Sequence, residues 1–447
     1  MCSVQPKYGI AMTAAGCFWL GLFPLLQGGS YAHITKDKWI IMFLGCALTL
    51  LCFLFDFLRR STVLHSGGAP VSLRLPLILG GLLLLWTLLS CLLSSAASEV
   101  WWLGESARRE GLATRLCYFG LFFLFALSRV RLKPLLFSAA AGIAVFTVVV
   151  LLQRAGGNPL GLYPGGRSYA QNPEFQGTIG NVDMDTGYCC LLSGFLLYGG
   201  LACLPGRGGE KRFSPLCLCV CAAGLLLSLW LVGSMDVQFG VLTLSVLVLV
   251  TLLRFLPRKW RLPLLILLLA AMLLLVWFWP GTGGGIWELH EILHGRTRLS
   301  FGSNRIAVWC YTLGMSRSVL LLGGGCGAFP ARFSAYLEEN GLSVPTEQDG
   351  VPLPHHFDNP HNEYLSLLTD SGLPAALLFF ALILAALFRR REGFLPLLAP
   401  CSAAVLCYAV QAFFSFSVCL VAPLFWVLLG CAFRDVFPAC NASLFII

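Results

Sequence analysis

Residues 263–280 read PLLILLLAAMLLLVWFWP and contain no charged side chain. An α-helix rises 1.5 Å per residue, so about 20 apolar residues cross the roughly 30 Å hydrocarbon core of a bilayer. Similar blocks recur along the chain, in which 57% of the 447 residues are apolar and 11% are charged. Soluble domains carry about 25% charged residues. The sequence therefore predicts an all-α, polytopic integral membrane protein.

The apolar blocks predict about twelve transmembrane helices in a single membrane domain that covers residues 1–447. The first block follows a short polar start, and we expect it to be a retained helix and not a cleaved signal. The predicted spans are 9–28, 39–58, 76–96, 112–128, 134–152, 187–204, 215–233, 239–256, 263–280, 373–388, 395–414 and 418–433.

The distribution of basic residues predicts the orientation of the chain. Lys and Arg cluster in the connections that follow the even-numbered spans, and the positive-inside rule places these connections and both termini in the cytoplasm. Lys36 and Lys38, in the first outer connection, are exceptions. Two outward connections are long, 153–186 and 281–362, and polar, Gly-rich sequence gathers in them. The net charge of +9 is scattered among these connections. It therefore reflects how the chain is oriented in the cytoplasmic (inner) membrane, among membrane lipids. We expect no nucleic-acid partner.

The 19 cysteines lie mostly inside the apolar blocks, where a thiol behaves as a small apolar side chain. We expect no disulfide framework, no zinc site and no other cofactor. Cys310 and Cys326 lie in a long loop, and a disulfide between them stays open. The cysteines inside blocks include Cys189, Cys190, Cys217, Cys219 and Cys221.

Two outer turns carry polar residues that are candidates for binding substrate. In the stretch 176–183, Thr178 and Asn181 stand between glycines, and such a turn exposes backbone N–H groups to phosphate oxygens. The alternative is a helix-entry turn capped by Asn181 or Asp183. In the stretch 104–111, Arg108 and Arg109 are candidates for holding an anionic head group, or form part of a solvated turn.

Arg305 and Trp309 are four residues apart in the large outer loop, so they share one face if this stretch is helical. A fixed guanidinium binds phosphate oxygens in a bidentate manner. The alternative is an interfacial Arg beside a Trp of the membrane's aromatic belt.

The stretch 358–365 predicts a helix start, with Pro360 in the first turn and His361 at the positive end of the helix dipole. The dipole disfavours imidazolium, which keeps the ring neutral and able to accept a proton. Asn362 beside it is a candidate for binding substrate. The alternative for a lone His near a cap is polar surface.

Residues 290–294 match the H-E-x-x-H pattern of zinc proteases, in which two His ligands hold the metal and Glu acts as base. Glu338, His355 and Asp358 are conceivable third ligands, but none has a recognisable spacing. The alternative is an amphipathic interfacial helix, which we favour, and we expect no metal site here.

Taken in order, these segments resemble the O-antigen ligase and polymerase family, over most of the chain. The resemblance implies a glycosyltransferase of the GT-C-like class with a lateral opening for a polyprenyl donor. The matching pieces are Arg109–Gly111, Gly177–Asn181, Asn304-Arg305 with Trp309, Leu322–Gly327, and His361–Leu365 before Ser371–Leu373.

The resemblance also implies roles for individual residues. Arg305 would bind the diphosphate of an undecaprenyl-diphosphate-linked glycan, and His361 would act on the hydroxyl of a glycan or lipid acceptor. The implied reaction is an inverting glycosyl transfer without a metal or other cofactor, at the outer face of the cytoplasmic membrane. The glycines of Gly323–Gly327 would let the loop backbone approach the helices closely.

One segment departs from the family pattern. The sequence has Ser234-Met235-Asp236 where the family often carries Ser-Arg, so one phosphate-binding Arg is missing. Candidates to replace it are Arg167, Arg298 and Arg108. The departure leaves a non-catalytic partner in envelope assembly as an alternative function. A polysaccharide or lipid transporter is a further alternative, although the nearly charge-free spans disfavour it.

Overall fold

The fold is known from a computed structural model that describes residues 9–61, 71–204, 215–235, 237–344, 357–389 and 398–434. Within these ranges the regular elements are all helices and no strand occurs. In chain order the α-helices are α1 (Ile10–Cys17), α2 (Ile34–Ser61), α3 (Val71–Leu92), α4 (Ser98–Leu103), α5 (Leu112–Leu127), α6 (Leu132–Arg154), α7 (Val182–Cys203), α8 (Pro215–Ser234), α9 (Gln238–Phe255), α10 (Arg258–Trp277), α11 (Gly284–Leu293), α12 (Arg305–Ser316), α13 (Phe329–Glu339), α14 (Glu363–Leu387), α15 (Pro400–Gln411) and α16 (Ala422–Ala432).

Twelve apolar helical segments of the described chain overlap the twelve predicted spans, of which residues 395–397 lie outside the described residues. Eight are long enough to cross a bilayer, and four are shorter: Ile10–Leu25, Leu112–Leu127, Pro400–Gln411 and Ala422–Ala432. Exposed leucine, isoleucine and phenylalanine side chains cover the outside of the long helices, as hydrocarbon requires. The prediction of an all-α polytopic membrane protein is confirmed.

The helices differ in how deeply they are buried. In α7, 89% of the residues in its 18-residue apolar stretch are buried, whereas in α10 this share is 6%. Close packing around α7 depends on glycine: a Cβ at Gly194 would lie 2.6 Å from the carbonyl oxygen of Ala403 in α15. Helix α7 is therefore the centre of the bundle, and α10 lies at its periphery against lipid.

Five helices begin at least five residues earlier than predicted: α2, α3, α7, α10 and α14. Helix α2 starts at Ile34, so Lys38 lies in the helix and not in a connection; its buried ammonium group donates hydrogen bonds to the carbonyls of Phe23 and Pro24 at 2.9 and 2.7 Å. Helix α14 starts at Glu363, ten residues before the predicted span, and is kinked at Gly372, where φ is +81°. The Lys38 exception to the charge pattern is thus explained by internal hydrogen bonds.

The long connection 281–362 contains the amphipathic helices α11, α12 and α13, and a glycine-rich segment, Gly323–Gly327. The amides of Gly324 and Gly325 donate to the carbonyls of Thr369 and Asp370 in α14, at 2.7 and 2.9 Å. A Cβ at Gly323 would lie 2.3 Å from the Asp370 carbonyl carbon. This segment approaches α14 closely, as expected. Cys326 packs with Cys91, and Cys310 is an exposed free thiol.

Candidate functional site

Arg305 is the first residue of α12 and follows a turn in which Gly302, Ser303 and Asn304 all have positive φ. Its guanidinium is half-buried and donates to the carbonyl oxygen of Gly302 at 3.0 Å and, weakly, to that of Phe414 at 3.5 Å. Its Nε is buried and finds no hydrogen-bond partner in the described part of the chain. Burial lowers the pKa of Arg305, and the charge of Asp183 opposes this effect. Arg305 is therefore a fixed cation with unused donor capacity.

His361 lies in a sharp turn directly before α14. Its φ is +51°, and its amide donates to the side chain of Asn359 at 2.8 Å. Asn362 caps the helix by accepting a hydrogen bond from the amide of Leu365 at 3.0 Å. The prediction that Pro360 lies in the first helical turn is wrong, because α14 begins at Glu363. His361 still precedes the helix N-terminus, so the expected dipole acts on its ring.

Trp309 joins the Arg305 helix to the His361 turn. Its indole Nε1 donates to the carbonyl oxygen of Pro360 at 2.9 Å, and its ring packs against Phe414 at 6.2 Å. Because Arg305 and Trp309 are one turn apart on α12, the prediction of a shared helical face is confirmed. One side chain therefore fixes the relative positions of Arg305 and His361.

Phe416 lies between His361 and Arg108. The His361 ring meets it edge-on at 5.3 Å, and the Arg108 guanidinium stacks over it at 4.4 Å. Arg108 also forms an ion pair with Asp358. The structure thus brings Arg108, Arg305 and His361 together.

The electrostatics of this group keep His361 neutral. Burial and the charges of Arg305 and Arg108 together lower the pKa of His361 to about 4, against the opposing charge of Asp358. At neutral pH the imidazole is therefore uncharged and has a free lone pair. Both features are required of a group that accepts a proton.

The other predicted binding residues make contacts within the fold. The hydroxyl of Thr178 is buried and donates to the Pro24 carbonyl at 2.8 Å, and Asn181 caps α7 by accepting from Asp183 and Met184. The Arg109 guanidinium lies over Trp39 at 5.2 Å, away from the Arg108 ion pair. For these three residues, and for the helix cap Asn362, a role in binding substrate stays a prediction.

Further buried and half-buried carboxylates surround this group, and of these only Asp183 was named from the sequence, as a candidate helix cap. Glu363 accepts from the Tyr408 hydroxyl at 2.7 Å, and Asp370 pairs with Arg115 at 3.4 Å. Glu110 accepts from Tyr118 at 2.8 Å, and burial raises its pKa to about 7. Asp183 interacts electrostatically with Arg305 and Arg108. No sequence pattern links these groups, which come from distant segments.

The segment that departs from the family pattern has a cation beside it. Arg154, at the end of α6, donates to the carbonyl oxygen of Ser234 at 3.4 Å and to Gln176 at 3.0 Å. Met235 accepts a hydrogen bond from Thr186, and Asp236 lies outside the described residues. Arg154 was not among the residues predicted to replace the missing Arg.

The H-E-x-x-H segment forms the last turn of α11 and its C-cap, and its side chains bond to other groups of the chain. His290 and His294 each use Nδ1 on a backbone carbonyl, and their rings pack at 4.1 Å. The guanidinium of Arg296 donates a hydrogen bond to each carboxylate oxygen of Glu291, at 2.9 and 2.6 Å. Among the described residues no third ligand completes a metal site around the two histidines. His355, one possible third ligand, lies outside the described residues.

Comparison with known proteins gives one family. Residues 222–380 match the family model described as O-antigen ligase. Among curated proteins, none matches the sequence. The matched segment is a little over a third of the chain, and it contains Arg305, Trp309 and His361.

Proposed function

We propose that this chain, a member of the O-antigen ligase and polymerase family by its residues 222–380, is a glycosyltransferase that moves a glycan from undecaprenyl diphosphate to a glycan or lipid acceptor. The observation that carries the proposal is the placing of a neutral His361 beside the guanidinium groups of Arg305 and Arg108. A glycosyl transfer from a diphosphate needs a cation at the leaving group and a base at the nucleophile.

Arg305 is the residue that we assign to the donor diphosphate. Its bonds are to carbonyl oxygens, and no carboxylate forms an ion pair with it among the described residues. Arg108 is partly neutralised by Asp358, so it contributes less charge to an incoming anion. Guanidinium groups would stabilise the leaving diphosphate, and the transfer would proceed without a metal ion.

The polyprenyl chain of the donor fits an apolar groove on the lipid-facing side of α8, α9 and α10. The groove encloses about 470 Å³ and starts beside Gly233, next to Ser234. Arg154 stands at this end of the groove, where it bonds the Ser234 carbonyl. We assign Arg154 to the diphosphate in place of the missing Arg. The lining residues are Leu229, Val232, Gly233, Val241, Leu244, Ser245, Val248, Leu249, Leu252 and Leu268.

His361 would take the proton of the acceptor hydroxyl. The acceptor oxygen attacks the anomeric carbon, the bond from that carbon to the diphosphate oxygen breaks, and undecaprenyl diphosphate leaves with the electron pair. A single displacement of this kind inverts the anomeric configuration. The proton released by the acceptor moves to the free lone pair of His361.

Donor binding would also strengthen His361 as a base. Arg305 and Arg108 lower the pKa of His361 in the free protein. A bound diphosphate would offset their charge, so the pKa would rise toward its ordinary value. The imidazole would thus become an effective base when the donor is in place.

The reaction is assigned to the outer face of the cytoplasmic membrane, with both termini in the cytoplasm. The support is the positive-inside pattern, which puts the connection 281–362 and its Arg305 outside. The groove would deliver the donor from the same membrane.

Complementation of a strain that lacks its O-antigen ligase or polymerase tests the proposed function. Wild-type chain, His361→Ala and Arg305→Ala are expressed at matched levels, and surface glycan is scored on gels. Rescue by wild type with loss in both variants is expected, and the glycan ladder separates ligation from polymerisation. Equal rescue by both variants would refute the site assignment.

A further inference from the structure

Three cysteine sulfurs meet between α7 and α8. Cys203 is the last residue of α7, and Cys217 and Cys221 lie one turn apart on α8. Their sulfur atoms all lie within 4.8 Å of one another, and the residues are 6%, 0% and 1% exposed. Within the described residues this is the one group of three or more His, Cys, Asp or Glu side chains placed closely enough to hold a metal ion.

The packing of the two helices creates the cluster. A Cβ at Gly224 of α8 would lie 2.9 Å from a methyl group of Leu196 in α7, so the absence of a side chain there lets the two helices pack closely. One turn along α7, a Cβ at Gly200 would lie 3.5 Å from the Cβ of Cys221, an ordinary contact distance. Cys219, on another face of α8, is exposed. The orientation of the three thiols is thus set by the α7–α8 interface.

The spacing fits a three-coordinate thiolate site. Zinc–sulfur bonds of about 2.3 Å around a trigonal centre place the sulfurs about 4.0 Å apart. Because the sulfurs are at most 4.8 Å apart, a contraction of less than about 1 Å would reach this geometry. A donor set of thiolates without carboxylate or imidazole selects soft, thiophilic ions.

The charge balance also favours a divalent ion. Three thiolates around one divalent cation leave a net charge of −1, which is costly to bury alone. Lys133, at the start of α6, is close enough to interact electrostatically with Cys203 and Cys217. Its ammonium group would compensate the remaining charge.

We propose that Cys203, Cys217 and Cys221 form a trithiolate site for a thiophilic divalent ion of the zinc class, which fastens α7 to α8. Binding converts three thiols to thiolates and releases three protons, with no electron transfer. The site lies at the far end of α7 from Asp183, about 30 Å away by helix rise. It is therefore a structural site separate from the His361 cluster.

Cadmium binding to the full-length protein in detergent tests the proposal. One equivalent of Cd²⁺ is added, and the sulfur-to-cadmium charge-transfer absorption and bound metal are measured. We expect Cys203→Ser, Cys217→Ser and Cys221→Ser each to weaken binding at least tenfold, and the matched control Cys219→Ser to bind as wild type does. Equal binding by wild type and the triple variant would overturn the proposal, as would an equal loss in the control.

X-ray absorption on wild-type protein with bound cadmium avoids the risk that a buried substitution disturbs folding. The proposal expects three sulfur neighbours at a single distance. One or two sulfurs, or a shell of oxygen ligands, would overturn it.

Discussion

The indole nitrogen of Trp309 donates a hydrogen bond to the carbonyl oxygen of Pro360 at 2.9 Å, although the two residues are 51 positions apart. Trp309 lies one helical turn after Arg305, and Pro360 immediately precedes His361. This bond therefore sets the distance between the cation assigned to the donor and the base assigned to the acceptor.

Trp309→Phe should lower kcat with little change in the KM for the donor. The substitution keeps an aromatic ring but removes the N–H, and a net hydrogen bond of about 1 kcal/mol corresponds to a rate loss of roughly fivefold. Steady-state transfer assays measure both parameters, with Trp287→Phe in α11 as the control. An unchanged kcat would show that the bond does not position His361.

The pH dependence of transfer should show an acid limb caused by His361. The imidazole must be neutral to accept a proton, so activity falls as the pH falls through its pKa. The limb of kcat/KM, which reports the free protein, is expected near pH 4. The limb of kcat should lie at higher pH, because the bound diphosphate offsets the arginine charges.

The same profile in Arg305→Gln separates the electrostatic effect from binding. Removing the Arg305 charge should shift the kcat/KM limb to higher pH, since this charge lowers the pKa of His361 in the wild type. Arg305→Gln should also lower the absolute value of kcat/KM. A limb that stays in place would contradict the assigned coupling.

Arg154→Ala should weaken donor binding by about ten- to hundredfold, because a charge-assisted hydrogen bond contributes about 1.5–3 kcal/mol. The KM for the donor is the quantity to measure. Arg317→Ala, which removes an exposed cation at the end of α12, is the control. An equal rise in KM in the two variants would show that Arg154 acts only as part of the general surface charge.

Gly233→Phe should raise the KM for the donor by filling the groove between α8 and α9. A side chain at Gly233 meets open space, so folding should be preserved. Gly81→Phe in α3 has the same open surroundings and lies outside the groove, so it is the control. An unchanged KM in Gly233→Phe would place the polyprenyl chain elsewhere.

The sequence was sufficient for the helices because lipid requires long apolar blocks, and these blocks are visible without any tertiary information. It also indicated Arg305, through its spacing from Trp309, and His361, through the predicted helix start, and the family resemblance implied a role for each. The sequence did not indicate Phe416 or Arg154, because their positions in the site depend on contacts between distant segments. The same is true of Cys203, which is 14 positions from Cys217 and meets it only through helix packing.

The predicted starts of α2 and α14 were also wrong, and the reason is physical. Lys38 and Glu363 are charged, and a hydropathy pattern excludes them from a span. In the fold, Lys38 donates to two carbonyl oxygens and one carboxylate oxygen of Glu363 accepts from the Tyr408 hydroxyl, so each charged side chain has a hydrogen-bond partner inside the bundle. Such compensation by tertiary hydrogen bonds has no local signature in the sequence.

Binding and turnover measured on one purified preparation test the division of roles between Arg305 and His361 most directly. Undecaprenyl diphosphate is the binding probe, transfer of glycan is the turnover assay, and Arg317→Ala, at the other end of α12, is the control. His361→Ala should bind the probe as wild type does and lose turnover by about 10²- to 10⁴-fold, whereas Arg305→Ala should lose binding of the probe. Full turnover in His361→Ala, or unchanged binding in Arg305→Ala, would contradict the account.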